Sequence, residues 1–319
     1  MHRIDGPGAT VDSKFTEGDP AAATPATTVT DDWLNAVQEE IAAVIESTGT
    51  ALDKAANGQL LAAITSKISA AIPTNVPQGV RGAFSNLRLS ATGSSAVVSV
   101  AADELTVVSA LPAHRSLQAL SLSINSTALG ANGLDSGTLA ASTWYSVWVV
   151  WNGATAAGLL SLSASAPTLP GGYTHKARIG WIRTDATANK YPVAFVQSGR
   201  AVQYKVSQVI ASGVAGSVAV PTWVSVGLAS VVPATAGRAS IGLTTGAGAT
   251  NTGAMAHPNS SAGAITSNTN PPMISVSSAG TAPVWVNSTV SMALESTSIY
   301  WASGLSAAAM YCFGWEDNL

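Results

Sequence analysis

The sequence predicts a mainly β protein with a short N-terminal α-helical segment, its strands gathered into β-sandwich-like domains. Three observations carry this. Ala, Ser, Thr, Val and Gly dominate a chain that is 47% hydrophobic and 10% charged, a mixture that suits short strands joined by small-residue turns. After residue 95, apolar residues mostly alternate with small polar ones. Between residues 30 and 72 they recur instead at three- and four-residue steps, the helical period.

Residues 1–30 read as extended and turn-rich: "DGPG" and "EGDP" break regular structure, and "AAATPATT" cannot build a core. A first helix begins where Thr30 caps it and Asp31 and Asp32 sit against the positive end of the helix dipole. Leu34, Val37, Ile41 and Val44 form its apolar stripe, with Ile45 beside them; Gln38, Glu39, Glu40 and Glu46 face away, and Gly49 ends it. A second helix from about Asn57 aligns Leu61, Ile64, Ile68 and Ile72 and is stopped by Pro73. Each stripe is narrow and needs a cover, which the other helix, symmetry mates or a docking partner could supply.

"PTNVPQGVRG" at 73–82 reads as a linker into β structure. Strands are then expected at "AVVSV" (96), "ELTVVS" (104), "LQALSLSI" (117), "WYSVWVVW" (144) and "ARIGWIRT" (177), each bounded by turn residues. Beyond a junction near 205 come "WVSVGL", "ASIGL", "MISVSS", "VWVNSTVSMAL" and "MYCFGW". The organisation expected is an N-terminal segment 1–78, a central β domain 79–205 and a C-terminal β domain 206–319.

Charge is unevenly spread. Ten of the 17 acidic residues lie between Asp5 and Asp53, whereas residues 206–319 carry only Arg238, Glu295, Glu316 and Asp317. A surface that neutral is better placed against copies of itself, which points to an intertwined homo-oligomer. A net charge of −3 with scattered Lys and Arg offers no basic field for nucleic acid. One cysteine, Cys312, excludes an internal disulfide framework and a Cys-rich zinc site, and fits synthesis in a reducing cytoplasm. The start has no apolar signal-peptide core, and no run reaches the roughly 18 apolar residues that span a bilayer, so a soluble protein without membrane insertion is expected.

Enzymatic motifs are thin. There is no G-x-S-x-G, H-E-x-x-H or Walker A, and "TTGAGATNTG" at 244–253 has Asn251 where a dinucleotide fingerprint needs Gly, so it reads as a loop. Seven carboxylates follow Asp53, sparse material for a glycosidase pair; adjacent Asp103 and Glu104 would point to opposite faces of a strand. The candidates for a glycan-cleaving alternative are Asp135, Asp185 and Glu295. His2, His114, His175 and His257 each stand alone, so a metal would need one histidine from each chain of a trimer, His257 in "MAHPNSS" being the best placed. No cofactor or metal is expected. Along "WYSVWVVW", alternation puts Trp144 and Trp148 on one face and Tyr145 and Trp151 on the other, where core or interface packing is the preferred reading.

Two stretches resemble tail fibre proteins of tailed bacteriophages and related prophages. "FTEGDPAAATPATTVTDDWLNAVQEEIAAVIESTG", with "ALD" and "QLLAAI", is similar to their N-terminal region, over about residues 1–72. "WYSVWVVWN", "LSLSASAPTLPGGYTHKARIGWIRTD" and "YPVAFVQSGRAVQY" are similar to a central fibre domain, over about 142–205. The resemblance implies an elongated homotrimeric fibre whose N-terminal part binds the phage baseplate or tail tip and whose C-terminal part binds a host cell-surface receptor, a glycan or a pilus, during adsorption. In that frame Trp33, Leu34, Val37 and Ile41 are the expected virion-attachment anchors. Trp285, Tyr300, Trp301, Tyr311 and Trp315 are the expected receptor-binding residues, with core packing as the competing role for half of them or more. A structural baseplate component without receptor contact and a tailspike hydrolase are the alternatives.

Overall fold

The computed structural model describes residues 2–71, 81–109, 113–246, 252–277 and 286–319, in two compact units, Met1–Gln78 and Gly79–Leu319. Ile72, Pro73, most of the expected 73–82 linker, the middle of the 244–253 Gly-rich stretch and Trp285 lie outside the described residues.

In the first unit, α1 spans Asp31–Glu46 and α2 spans Gln59–Ala71. Thr30 caps α1 as expected, its side-chain oxygen accepting from the Trp33 N–H at 3.4 Å. Past the C-terminal end Gly49 takes φ +79°, the left-handed conformation that ends many helices. The two helices pack on one another, burying Ala42, Ile45 and Ala63. The second helix starts two residues later than expected because Gly58 holds φ +106°, outside helical space. Gln59 ties the connection, its Oε1 accepting from Asp53 N at 3.0 Å and its Nε2 donating to Ala51 O at 2.8 Å.

The residues before α1 are turn-rich but fold back rather than extend. Thr28 N donates to Pro7 O (2.8 Å), Thr27 N to Thr16 O (2.9 Å), and Asp19 and Thr24 exchange two backbone bonds. Phe15 then meets Trp33 edge to face with centroids 5.1 Å apart, and Ile4 is buried.

The second unit is β throughout. Its strands are β1 (Phe84–Ser85), β2 (Arg88–Ala91), β3 (Val97–Ser109), β4 (His114–Asn125), β5 (Gly133–Leu134), β6 (Trp144–Trp151), β7 (Ala156–Ser161), β8 (His175–Arg183) and β9 (Phe195–Ser198). There follow β10 (Ala201–Ser212), β11 (Val224–Gly227), β12 (Ala236–Thr245), β13 (Gly253–His257), β14 (Ile274–Ser277), β15 (Val286–Ala293), β16 (Ser298–Ser303) and β17 (Ala309–Asp317). Among the described residues one sheet runs β15-β12-β17-β10-β9-β2-β3-β8-β6-β7-β5, with β1 and β4 also on β3; a second runs β11-β16-β13-β14. Position 205, where the sequence suggested a junction, falls inside β10.

A twisted sheet of that width curls, and side-chain contacts between strands far apart in its order show that it does. Trp144 of β6 touches Trp315 of β17 at 5.4 Å, and Arg178 of β8 is paired with Asp317 of β17. One core results, drawing Val107 and Ile124, Tyr145 and Val149, Ile241 and Met310 into a single cluster. The second sheet packs onto the same core through Ala254, Ala256, Ile274, Ile299 and Trp301, a sandwich of two sheet faces.

β3 and β4 form a long hairpin in register from Val97↔Asn125 to Val108↔His114. β6 is covered on both faces: Tyr145, Val147 and Val149 belong to the main core, while Trp148 and Val150 join Ala157 and Leu159 beneath Leu169 and Tyr173. Gly158 in β7 leaves room for Ile124, whose side chain occupies the space a Cβ would need. The expected pairing of Trp144 with Trp148 on one face is not kept in packing. Trp144 turns to the main core and donates from Nε1 to Ala229 O at 2.8 Å, while Trp148 donates to Ser146 Oγ at 2.7 Å in the second cluster.

Candidate binding surfaces

The first candidate surface is the helical pair. The expected anchors divide into two sorts. Trp33 is half-buried and occupied by Phe15, and Val37 is half-buried, whereas Leu34 and Ile41 are 54% and 44% exposed. On α2, Leu61, Ile64 and Ile68 are 70%, 42% and 60% exposed. Leu34, Val37, Ile41 and Val44 are spaced three, four and three residues apart, and Leu61, Ile64 and Ile68 three and four, so each helix presents the spacing of a coiled-coil seam. The helices bury Ala42, Ile45 and Ala63 and leave Leu34, Ile41, Leu61, Ile64 and Ile68 exposed, with Val37 and Val44 half-buried between.

The second candidate surface lies on the outer face of β12, β15 and β17. In β17 Met310 and Cys312 point into the core, so alternation turns Tyr311 and Phe313 outward, both half-buried, with ring centroids 6.3 Å apart and planes 30° from parallel. Gly242 on β12 lies under Phe313; a Cβ there would strike the ring. A groove of about 400 Å³ runs beside the pair, edged by uncharged polar groups including Ser207, Thr244 and Asn287. Flat rings among hydroxyl and amide groups, with no charged residue in the groove lining, make a platform for a neutral polar ligand.

The remaining expected receptor residues are placed differently. Trp301 and Trp315 are buried, 2% and 4% exposed, and pack in the core; Trp315 meets Tyr204 and Trp144 edge-on. Tyr300 is half-buried on β16 beside Ser225 and His257 of the neighbouring strands. Tyr300 and Tyr311 therefore sit on different sheets. Phe313, Gly242 and Asn287 were not singled out from sequence. The aromatic at 313 was visible in "MYCFGW", but its direction depends on register.

The carboxylates considered for hydrolysis are each engaged locally. Asp135 accepts from Thr168 N at 3.0 Å, Asp185 from Thr187 N at 3.0 Å, and Glu295 from Asn259 Nδ2 at 2.8 Å. His257 is the last residue of β13, its Nδ1 3.2 Å from Asn259 O. Among the described residues no three His, Cys, Asp or Glu side chains are grouped to hold a metal ion, and no helix is long and apolar enough to cross a membrane.

Over 70 aligned residues, 20% of its length, the chain is 41% identical to the uncharacterized protein StfP of Escherichia coli (strain K12). That match covers 34% of StfP, so the chain spans about a third of the length of this relative. No family model matches the chain, and no solved structure does.

Proposed function

We infer that the protein is a non-enzymatic bacteriophage tail fibre. It assembles as a homotrimer in the virion, docks on the baseplate or tail tip through residues 1–78 and binds a host cell-surface receptor through its C-terminal strands. The observation that carries this reading is the pair of apolar seams on α1 and α2 whose Leu34, Ile41, Leu61, Ile64 and Ile68 are exposed, within the stretch that resembles fibre N-termini. Exposed apolar residues on a soluble chain mark a surface awaiting a partner. Val206, Val209, Val214 and Val220 are likewise more than half exposed, in the region with the fewest charges. The Tyr311–Phe313 platform is the receptor surface in this reading, and three copies per trimer would bind by avidity rather than by single-site strength.

The test is binding of labelled full-length protein, with its mass from light scattering, to candidate host cells, and an assay for released reducing sugar in the same tubes. A trimer that binds saturably and releases no sugar supports the reading. Sugar release would favour a hydrolase, and a trimer that binds no host would favour a structural baseplate role.

A further inference from the structure

Asparagine followed by glycine occurs three times in the chain, at 57–58, 132–133 and 152–153. The dipeptide carries a latent reaction, because glycine has no side chain to keep its backbone nitrogen away from the asparagine amide. Local structure decides which of the three can use it. Asn132 is held by the sheet: its Oδ1 accepts from Gly158 N at 2.8 Å, and Gly133, which is buried, donates its N–H to Gly130 O at 2.9 Å. There is no spare volume around Gly133, where a Cβ would strike Ala128 O. Asn152 is held by its own turn, its Oδ1 accepting from Ala154 N at 3.0 Å and from Thr155 N at 2.8 Å.

Asn57 and Gly58 differ from both. They lie in the connection between α1 and α2, and each is exposed. Among the described residues neither the Asn57 side chain nor the Gly58 N–H has a hydrogen-bond partner. The backbone on either side is tied, Ala56 N donating to Asp53 O at 3.2 Å and Ala62 N to Gly58 O at 3.0 Å. Gly58 stands at φ +106°, and a Cβ on it would meet nothing within 4 Å. The peptide plane between Asn57 and Gly58 therefore has room to turn until the glycine nitrogen faces the asparagine side chain.

We propose that Asn57 is a site of spontaneous deamidation, selected from the three by the fold. The Gly58 nitrogen attacks Cγ of Asn57; a ring N–Cγ bond forms, the Cγ–Nδ2 bond breaks, and the amide nitrogen leaves as ammonia with the proton of the Gly58 N–H. Water then opens the cyclic imide. Cleavage at Cγ gives an aspartate, and cleavage at the main-chain carbonyl gives an isoaspartate whose backbone runs through the former side chain. Only water is consumed, and nothing is oxidised or reduced. The aspartate places a negative charge just before α2, whose first turn has no acidic residue and whose dipole favours one. The isoaspartate adds a methylene to the main chain inside the loop that Gln59 closes on Ala51 and Asp53, which loosens that closure. The helical pair thus carries a chemical record of its age, whatever the protein binds.

Peptide mapping of full-length protein aged in mildly alkaline buffer tests it. Trypsin releases Asn57 in the peptide Ala55–Lys67 and the other two sites in Ser116–Lys176, where fragment ions tell Asn132 from Asn152. The amide-to-acid mass change should accumulate at Asn57 at least about tenfold faster than at either other site. Its product should split into two chromatographic peaks, one of them a substrate of protein isoaspartate methyltransferase. Ageing in urea should bring the three rates within about threefold of one another, because the fold no longer protects Asn132 and Asn152. Equal rates in the folded protein, rates that stay apart in urea, or an Asn57 that keeps its amide while a synthetic peptide of residues 55–67 loses it would each overturn the proposal.

Discussion

At the scale of single residues, the strongest polar device is the network around Asp317. Its carboxylate is fully buried, pairs with Arg178 at 2.5 Å and accepts from Thr235 Oγ1, which in turn accepts from Trp181 Nε1 at 2.8 Å. Removing one partner leaves a buried charge without compensation, so Asp317→Ala should cost about 3–5 kcal/mol of stability, read as a lower urea midpoint. Cys312 is buried, and its thiol is pushed up to about 12 by that burial. It should resist alkylation at neutral pH until the protein unfolds. His175 gives a pH signature. Burial and the Arg115 charge hold its folded-state value below that of the unfolded chain, so its contribution is full above about pH 6.5 and is lost as the pH falls from there towards the folded-state value. His175→Gln should therefore lose less stability than the parent between about pH 7 and pH 5 in urea titrations. None of this was legible from the sequence, where Asp317 and Arg178 are 139 positions apart and each histidine stands alone. Trp301 and Trp315 teach the same lesson, since composition supplies aromatic rings but only register says which way each points.

At the scale of elements, the helices were read well because a three-and-four spacing with a Thr cap and acidic first turn is local information. Thr30→Ala should lower helix stability by about 1 kcal/mol in thermal melts. The seams allow a sharper separation of roles. Leu34→Ser with Ile41→Ser should change unfolding free energy by less than about 0.5 kcal/mol per site, because both are exposed. On the proposed reading, the same pair should reduce the protein's mass in solution and its incorporation into virions. Strands were harder. "AVVSV" and "ELTVVS" belong to one strand, β3, whose buried face switches from even to odd positions at Asp103 and Glu104, both exposed; β7 and β13 escaped notice because their Ala and Gly barely raise the apolar contrast. On β17, if the proposed receptor surface is right, Tyr311→Ala with Phe313→Ala should weaken host-cell binding tenfold or more while leaving the melting transition near that of the parent. Trp315→Ala should instead cost about 3–5 kcal/mol, as expected of a core aromatic.

At the scale of the whole molecule, the fold class could be reached from composition and alternation, but the topology could not. Strand order depends on pairings such as β2 with β9 and β8 with β3, which bring together distant segments whose individual patterns look alike. The charge asymmetry, by contrast, was plain in the sequence. Residues 1–78 hold ten acidic and four basic residues, and residues 79–319 hold seven acidic and ten basic. One pairing has a consequence in time. β17 lies between β10 and β12, which are not bonded to each other. During synthesis both strands therefore wait with bare edges until residues 309–317 leave the ribosome. A translation product interrupted before that point carries two open edges that invite chaperones, proteases or aggregation, so the large sheet is closed to such attack only in chains that have been read through β17.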